Sequence, residues 1–239
     1  DRFRQLGIED DRVIVGGNVK YDLEPDHRPL EWDGVIEVFA DGRPVIVAGS
    51  TLEGEEHLVL DAVDAVAGPD GRRPALILAP RHPERFDPVA RLVSGRGLSV
   101  IRRSHLPDGL LPGADVFLLD TIGELARAFR HGTMDFIGGS LVPSGGHNPL
   151  EPAVWGVPVV SGPSVENFEE VYREMVAAGA AHLVEDATAL GAALNRWIMN
   201  PETAGQVGEN GRRVVEQSRG ATARIADEIE CRLERVAGR

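Results

Sequence analysis

The residues able to do chemistry in this chain gather at four places. The densest is GGSLVPSGGHNPLEP, Gly138 to Pro152, which holds four glycines, three prolines, His147, Asn148 and Glu151. Glycine lets backbone approach an anion closely, and Gly138, Gly139 and Ser140 offer such a turn. Pro149 suits a helix start. Glu151 then falls in the first turn, where its carboxylate can accept hydrogen bonds from a ribose diol. The other three places are Ser50 and Thr51, then Arg81 and His82 within PRHPER, then Thr121, Gly123 and Glu124. Arg81 and Arg85 each carry a planar fork suited to bidentate pairing with a phosphate or carboxylate. Several of these turns open helices, whose free N–H groups favour phosphate. Together they point to an anionic, nucleotide-like ligand.

Plainer roles stand beside these. A lone Gly-Gly-Ser after a strand is a weak signal. Arg81 fits a surface ion pair, and His82, before a proline, fits a turn. Glu53, Glu55 and Glu56 read most simply as surface acids complementing a helix dipole. Asp120 and Glu124 read as a cap and a first-turn acid before they read as an acid/base pair. His147 and Glu151 lie four apart with no further His, Cys or acid cluster, so no metal is expected. The Walker A and G-x-G-x-x-G patterns are both absent.

These four places need a scaffold that brings them to one edge. PVIVAGS (Pro44 to Ser50) is a continuous apolar run, as in a strand buried on both faces. ALILAP (75–80), LSVIRR (98–103), DVFLLD (115–120), MDFIGG (134–139), PVVSG (158–162) and residues 182–185 also read as strands. Helical spacing fills the intervals: Val59, Ala62, Val63 and Val66 first, with Ser50 and Glu53 spaced as a capping box. Helices are expected over 83–94, 121–130, 149–155, 166–178 and 188–199, and a helical tail over 209–236. Repeated strand–helix units predict an α/β, doubly wound parallel sheet. In such sheets ligands sit at the carboxyl ends of the strands, where all four groups fall.

The chain has 239 residues and a net charge of −13, which argues against nucleic acid or anionic membrane as a partner of the whole surface. Cys231 is the only cysteine, so no intrachain disulfide forms. Lys20 is the only lysine; its rarity beside many arginines reads as a composition bias. No apolar run approaches a membrane span. The chain starts at Asp1 rather than Met, which reads as a fragment.

GNVKYD (17–22), STLEGEE (50–56), PRHPERF (80–86), DTIGEL (120–125), FIGGSLVPSGGHNPLEP (136–152) and GPSVENF (162–168) occur in an order and spacing that resemble the C-terminal half of the 3-deoxy-D-manno-octulosonic acid (Kdo) transferases. The resemblance runs from about Gly17 to the C-terminus. It implies one Rossmann-like lobe of a GT-B fold, an inverting transfer of Kdo from CMP-Kdo to a lipid A precursor at the cytoplasmic face of the bacterial inner membrane, and no metal or other cofactor. It further implies that Arg81 holds the charges of CMP-Kdo. Amides around Ile122 to Glu124 and Gly138 to Ser140 would cradle nucleotide or phosphate, Asn148 and Glu151 would meet the ribose, and Asn167 would lie nearby. Leu52 and Ile122 depart from the family's usual His and Met.

By the same resemblance the general base, the acceptor site and the membrane anchor lie in an N-terminal lobe. Residues 1–22 would be its closing segment, 23–43 a linker with a short helix, 44–220 the CMP-sugar domain, and 221–239 an amphipathic helix. The Ala221, Ile225, Ile229 and Leu233 face of that helix is expected to be exposed or self-associated. The chain alone is expected to bind donor without catalysing transfer. Two other readings stay open: a GT-B protein using a UDP-sugar, as transferase or 2-epimerase, and a stand-alone nucleotide-binding module.

Overall fold

A computed structural model describes residues 2–106 and 112–237. Asp1 and the last two residues of the expected C-terminal helix lie outside them. In chain order the helices are α1 (Arg2–Gln5), α2 (Asp33–Ala40), α3 (Glu56–Asp64), α4 (Phe86–Gly95), α5 (Leu125–Ala128), α6 (Leu150–Ala153), α7 (Glu169–Ala177), α8 (Ala187–Met199), α9 (Pro201–Ser218) and α10 (Ala221–Ala237). The strands are β1 (Val45–Thr51), β2 (Ala75–Pro80), β3 (Val100–Arg102), β4 (Val116–Leu118), β5 (Met134–Ile137), β6 (Val159–Ser161) and β7 (Ala181–Leu183).

These form one seven-stranded sheet in the order β3-β4-β2-β1-β5-β6-β7, and every pairing is parallel. The apolar runs are continuous because both faces of the sheet are covered. Alternate side chains supply the two faces. Val45 and Val47 join a core with Ile36, Phe39, Phe129, Leu150, Val171 and Met175. Ile46 and Ala48 join the opposite core with Val59, Val63, Val89, Val93, Leu190 and Trp197. Each face therefore carries its own helical layer. From β1 the chain winds outward through β2 to the edge strand β3, places β4 between β3 and β2, then returns to the other side of β1 with β5. The strand order reverses between β1 and β5, and that reversal opens a crevice at their carboxyl ends.

Three expectations change. Residues 23–43 pack as part of the domain rather than as a linker: Leu30, Trp32, Ile36 and Phe39 are core residues, and the Trp32 ring stacks on Phe117 at 5.0 Å. The helix expected over 121–130 shortens to α5 followed by a 3-10 turn, Phe129–His131, because residues 121–124 form an irregular turn. The tail is two helices. The first begins at Pro201, suited to a first helical position, and the break falls at Arg219–Gly220, with Gly220 at φ 91.

Asp22 crosses to that break. Its carboxylate accepts the Gly220 and Thr222 amides at 2.5 Å each, and so caps α10 from far away in sequence. Ala221 is fully buried, and Ile225 packs against Gly16. Ile229 and Leu233 stay more than half exposed, at 53% and 62%. Among the described residues no helix is long and apolar enough to cross a membrane.

Candidate functional site

A cleft of about 430 Å³ opens at the β1/β5 crevice. It owes its shape to a bulge. Pairing of β1 with β2 slips between Gly49 and Thr51, and Ser50, the extra residue, takes a left-handed φ of 57. A non-glycine residue held there is strained, and such strain gathers at functional sites. Ser50 lines the cleft; Thr51, one step on, is fully buried. Gly138 lets the end of β5 press on the bulge, since a Cβ there would stand 2.5 Å from the Ser50 carbonyl oxygen.

Arg81, just past β2, lines one wall, and its guanidinium has no ion-pair or hydrogen-bond partner among the described residues. Its neighbour in sequence, Arg85, is occupied by Glu53 and Glu56 at 3.1 and 3.2 Å. Gly123 of the turn after β4 faces the same space. The amides of Ile122, Gly123 and Glu124 donate to no protein acceptor among the described residues. On the β5 side stand His147, Asn148 and Glu151. The Asn148 side chain accepts the Leu150 amide at 3.1 Å and opens α6, which places Glu151 in its first turn. Burial pushes the Glu151 carboxyl up, with Asn148 and the Arg81 charge offsetting part of the rise. Burial, then the Arg81 and His82 charges, pushes the His147 imidazole down.

Ile137, Leu125, Ala126, Phe129 and Phe168 supply the apolar lining. Phe168 is held from outside: Lys20 Nζ stands 4.1 Å from its ring centroid and donates to the Asn167 carbonyl at 3.2 Å.

So Ser50, Arg81, Gly123, Asn148 and Glu151 meet at the cleft, and other candidates do not. The Gly138–Ser140 turn cannot cradle a phosphate, because its amides are taken. Gly138 N donates to the Gly49 carbonyl at 2.8 Å, and Gly139, Ser140 and Leu141 donate to the Glu55 carboxylate at 2.6–2.8 Å. Glu55 also accepts the Leu52 amide at 3.0 Å. It and Glu56 are fully buried, not surface acids, and the expected Ser50–Glu53 cap is replaced by this Leu52–Glu55 contact. Ser140 is buried, its hydroxyl donating to the Ile137 carbonyl and accepting the Gly162 amide.

The Glu124 carboxylate turns from the cleft to Trp32 Nε1 at 2.9 Å, to Arg103 at 3.2 Å and to the Thr121 hydroxyl. Those bonds outweigh burial and hold it below its ordinary value. Asp120 is likewise engaged by Ser104 and Arg102, so these two acids are not a free acid/base pair. Asn167 spends its side-chain amide on the Ser144 carbonyl at 3.0 Å, bracing the 144–146 loop. His82 and Ile122 are exposed and lie off the cleft lining.

The aromatic and aliphatic lining carries no signal separating it from ordinary core in sequence. His147 stood in a legible motif without an assigned role. Among the described residues no three of His, Cys, Asp and Glu gather in a way that holds a metal ion. The arrangement offers one unpaired guanidinium, free amides, one carboxylate and apolar faces, which is chemistry for a singly charged phosphoester attached to flat or cyclic groups.

Known proteins resemble this chain in sequence and fold. No family model matches the chain. The 3-deoxy-D-manno-octulosonic acid transferase of Haemophilus influenzae is 35% identical over 98% of the chain and 55% of its own length. The chain spans about half the length of the curated relatives it matches. Among solved structures, the C-terminal CMP-Kdo binding domain of WaaA from Acinetobacter baumannii superposes with a TM-score of 0.68 and 32% identity, over 75% of this chain and 93% of that one. The sucrose-phosphate synthase of Thermosynechococcus elongatus shares the fold at a TM-score of 0.58 and 20% identity, over 93% of this chain and 52% of that one. The chain belongs to the 3-deoxy-D-manno-octulosonic acid transferase family and corresponds to the C-terminal, Rossmann-like lobe of its GT-B fold.

Proposed function

We propose that the cleft binds CMP-Kdo and that the chain is the donor-binding part of an enzyme transferring Kdo to a lipid A precursor. The observation that carries this is the pairing of two side chains across the β1/β5 crevice: Arg81, with no protein partner, and Glu151, a half-buried carboxylate at a helix start. One guanidinium suits the single phosphate of a CMP-sugar. Glu151 suits the ribose hydroxyls, and Ile137, Phe129 and Phe168 suit flat and cyclic faces.

In the transfer, an acceptor hydroxyl oxygen bonds to the anomeric carbon as the bond to the CMP phosphate oxygen breaks. The electron pair leaves with CMP, and the acceptor proton passes to a base. Arg81 and the amides of Ile122 to Glu124 stabilise charge on the departing phosphate. Among the described residues Glu151 is the single carboxylate lining the cleft, and in this reading it is taken up by the ribose. By this reading the base is supplied from outside the cleft and the displacement is direct and inverting. The acceptor sits at the cytoplasmic face of the inner membrane, reached through another lobe.

Calorimetry tests the reading. CMP binds the wild type, and Arg81→Ala weakens it about 10- to 100-fold, the worth of a charged hydrogen bond. Glu151→Ala weakens it by a similar factor, while UDP binds less well than CMP. No CMP binding, or variants that bind as the wild type does, overturns the assignment; a clear preference for UDP reassigns the donor. The chain mixed with CMP-Kdo and lipid A precursor yields no transfer.

A further inference from the structure

His147 stands on the cleft with Arg81 and Glu151, and its buried Nε2 has no hydrogen-bond partner. Buried polar atoms are rarely left unmet in folded chains. The ring is also positioned from behind. A Cβ on Gly139 would lie 2.9 Å from His147 Cδ2 and 3.0 Å from Nε2, so a bare glycine there gives the imidazole its place. Gly139 in turn is pinned through its amide by Glu55. The turn whose own amides are taken thereby backs a side chain that lines the cleft.

We propose that His147 is a ligand-contacting residue of the cleft, closing on the same anionic group as Arg81. This rests on the donor-binding reading above. The charged and titratable groups facing the imidazole are Arg81 and His82 after β2 and Glu151 on α6, with Glu55 behind Gly139. In the free chain, burial and then the Arg81 charge push the imidazole below its ordinary value and so favour its neutral form. A phosphate seated between Arg81 and His147 offsets the arginine charge and gives an imidazolium a counter-ion. The ring then takes up a proton as ligand binds, and binding tightens as pH falls.

Calorimetry of CMP binding in two buffers of different ionisation enthalpy counts that proton, for the wild type and for His147→Gln. The CMP phosphate titrates in the same range, but equally for both proteins, so the difference isolates His147. Between about pH 8 and about pH 6 the wild type tightens roughly three- to tenfold more than the variant and takes up more protons. Equal proton counts with parallel pH profiles overturn the proposal and leave the donor-binding reading standing. No CMP binding by the wild type removes that reading, and this proposal with it. If His147→Gln does not melt cooperatively, the ring's NMR titration in the wild type decides. A midpoint that rises on adding CMP supports the contact, and an unmoved midpoint overturns it.

Discussion

Glu55 Oε2 accepts the Gly139 amide at 2.6 Å across a separation of 84 residues. With the amides of Leu52, Ser140 and Leu141 on the same carboxylate, this ties the end of β1 to the end of β5 directly behind the cleft. Glu55→Ala leaves those amides unmet in a buried place. Its expected cost is about 3 kcal/mol in denaturant melts. Glu55→Gln presents donors to donors and recovers less than half of the loss. A cost for alanine below about 1 kcal/mol, ordinary for a surface change, contradicts this role.

Glu124 acts by positioning. Its bonds to Trp32, Arg103 and Thr121 hold the turn that carries Gly123 into the cleft lining. Glu124→Ala weakens CMP binding about three- to tenfold, the worth of about one neutral hydrogen bond between the turn and the ligand. Trp32→Phe, which removes one of those bonds without touching the cleft, moves binding in the same direction. Direct contact by the carboxylate predicts instead that Trp32→Phe leaves the dissociation constant unchanged.

Asp135 makes stability depend on pH. It is fully buried in β5, no side chain among the described residues meets either carboxyl oxygen, and burial pushes the group well above its ordinary value, with the Val47 backbone offsetting only part of the rise. Above about pH 4 the unfolded chain releases this proton while the folded chain keeps it. Fewer protons bound unfolded than folded means stability that falls as pH rises. The wild type therefore loses melting temperature relative to Asp135→Asn between about pH 5 and about pH 8. A constant difference across that window refutes the assignment.

Asp22 has the opposite sign. The Thr222 side chain and amide, then the Gly220 amide, hold its carboxyl down to about 2. Its contribution is present above about pH 4 and is lost as pH falls toward the folded value. Asp22→Ala speeds amide exchange in the first turn of α10 and leaves β1 protected. Unchanged exchange at Thr222 to Arg224 removes the capping role.

All seven strands were legible, because each is an apolar run closed by Gly, Pro or a charge, and their alternation with helices names the architecture. The location of the cleft followed from topology alone. What sequence could not show was which polar groups were already spoken for. Thr51 and Ser50 are adjacent, yet a one-residue bulge sends Ser50 into the cleft and Thr51 into the interior. Gly139 and Ser140 look like a phosphate turn until a carboxylate from 84 residues away is seen to fill it. Trp32 sat in a stretch rich in proline and charge, where its burial against Phe117 left no periodic trace.

Lys20 and Asp22 sit two residues apart, one bracing Phe168 at the cleft wall and the other gripping the first turn of α10. That short span works as a lever with a load at either end. The first turn of the last helix and an aromatic wall of the cleft are thus joined by two side chains of one short span, a connection that does not run through the sheet.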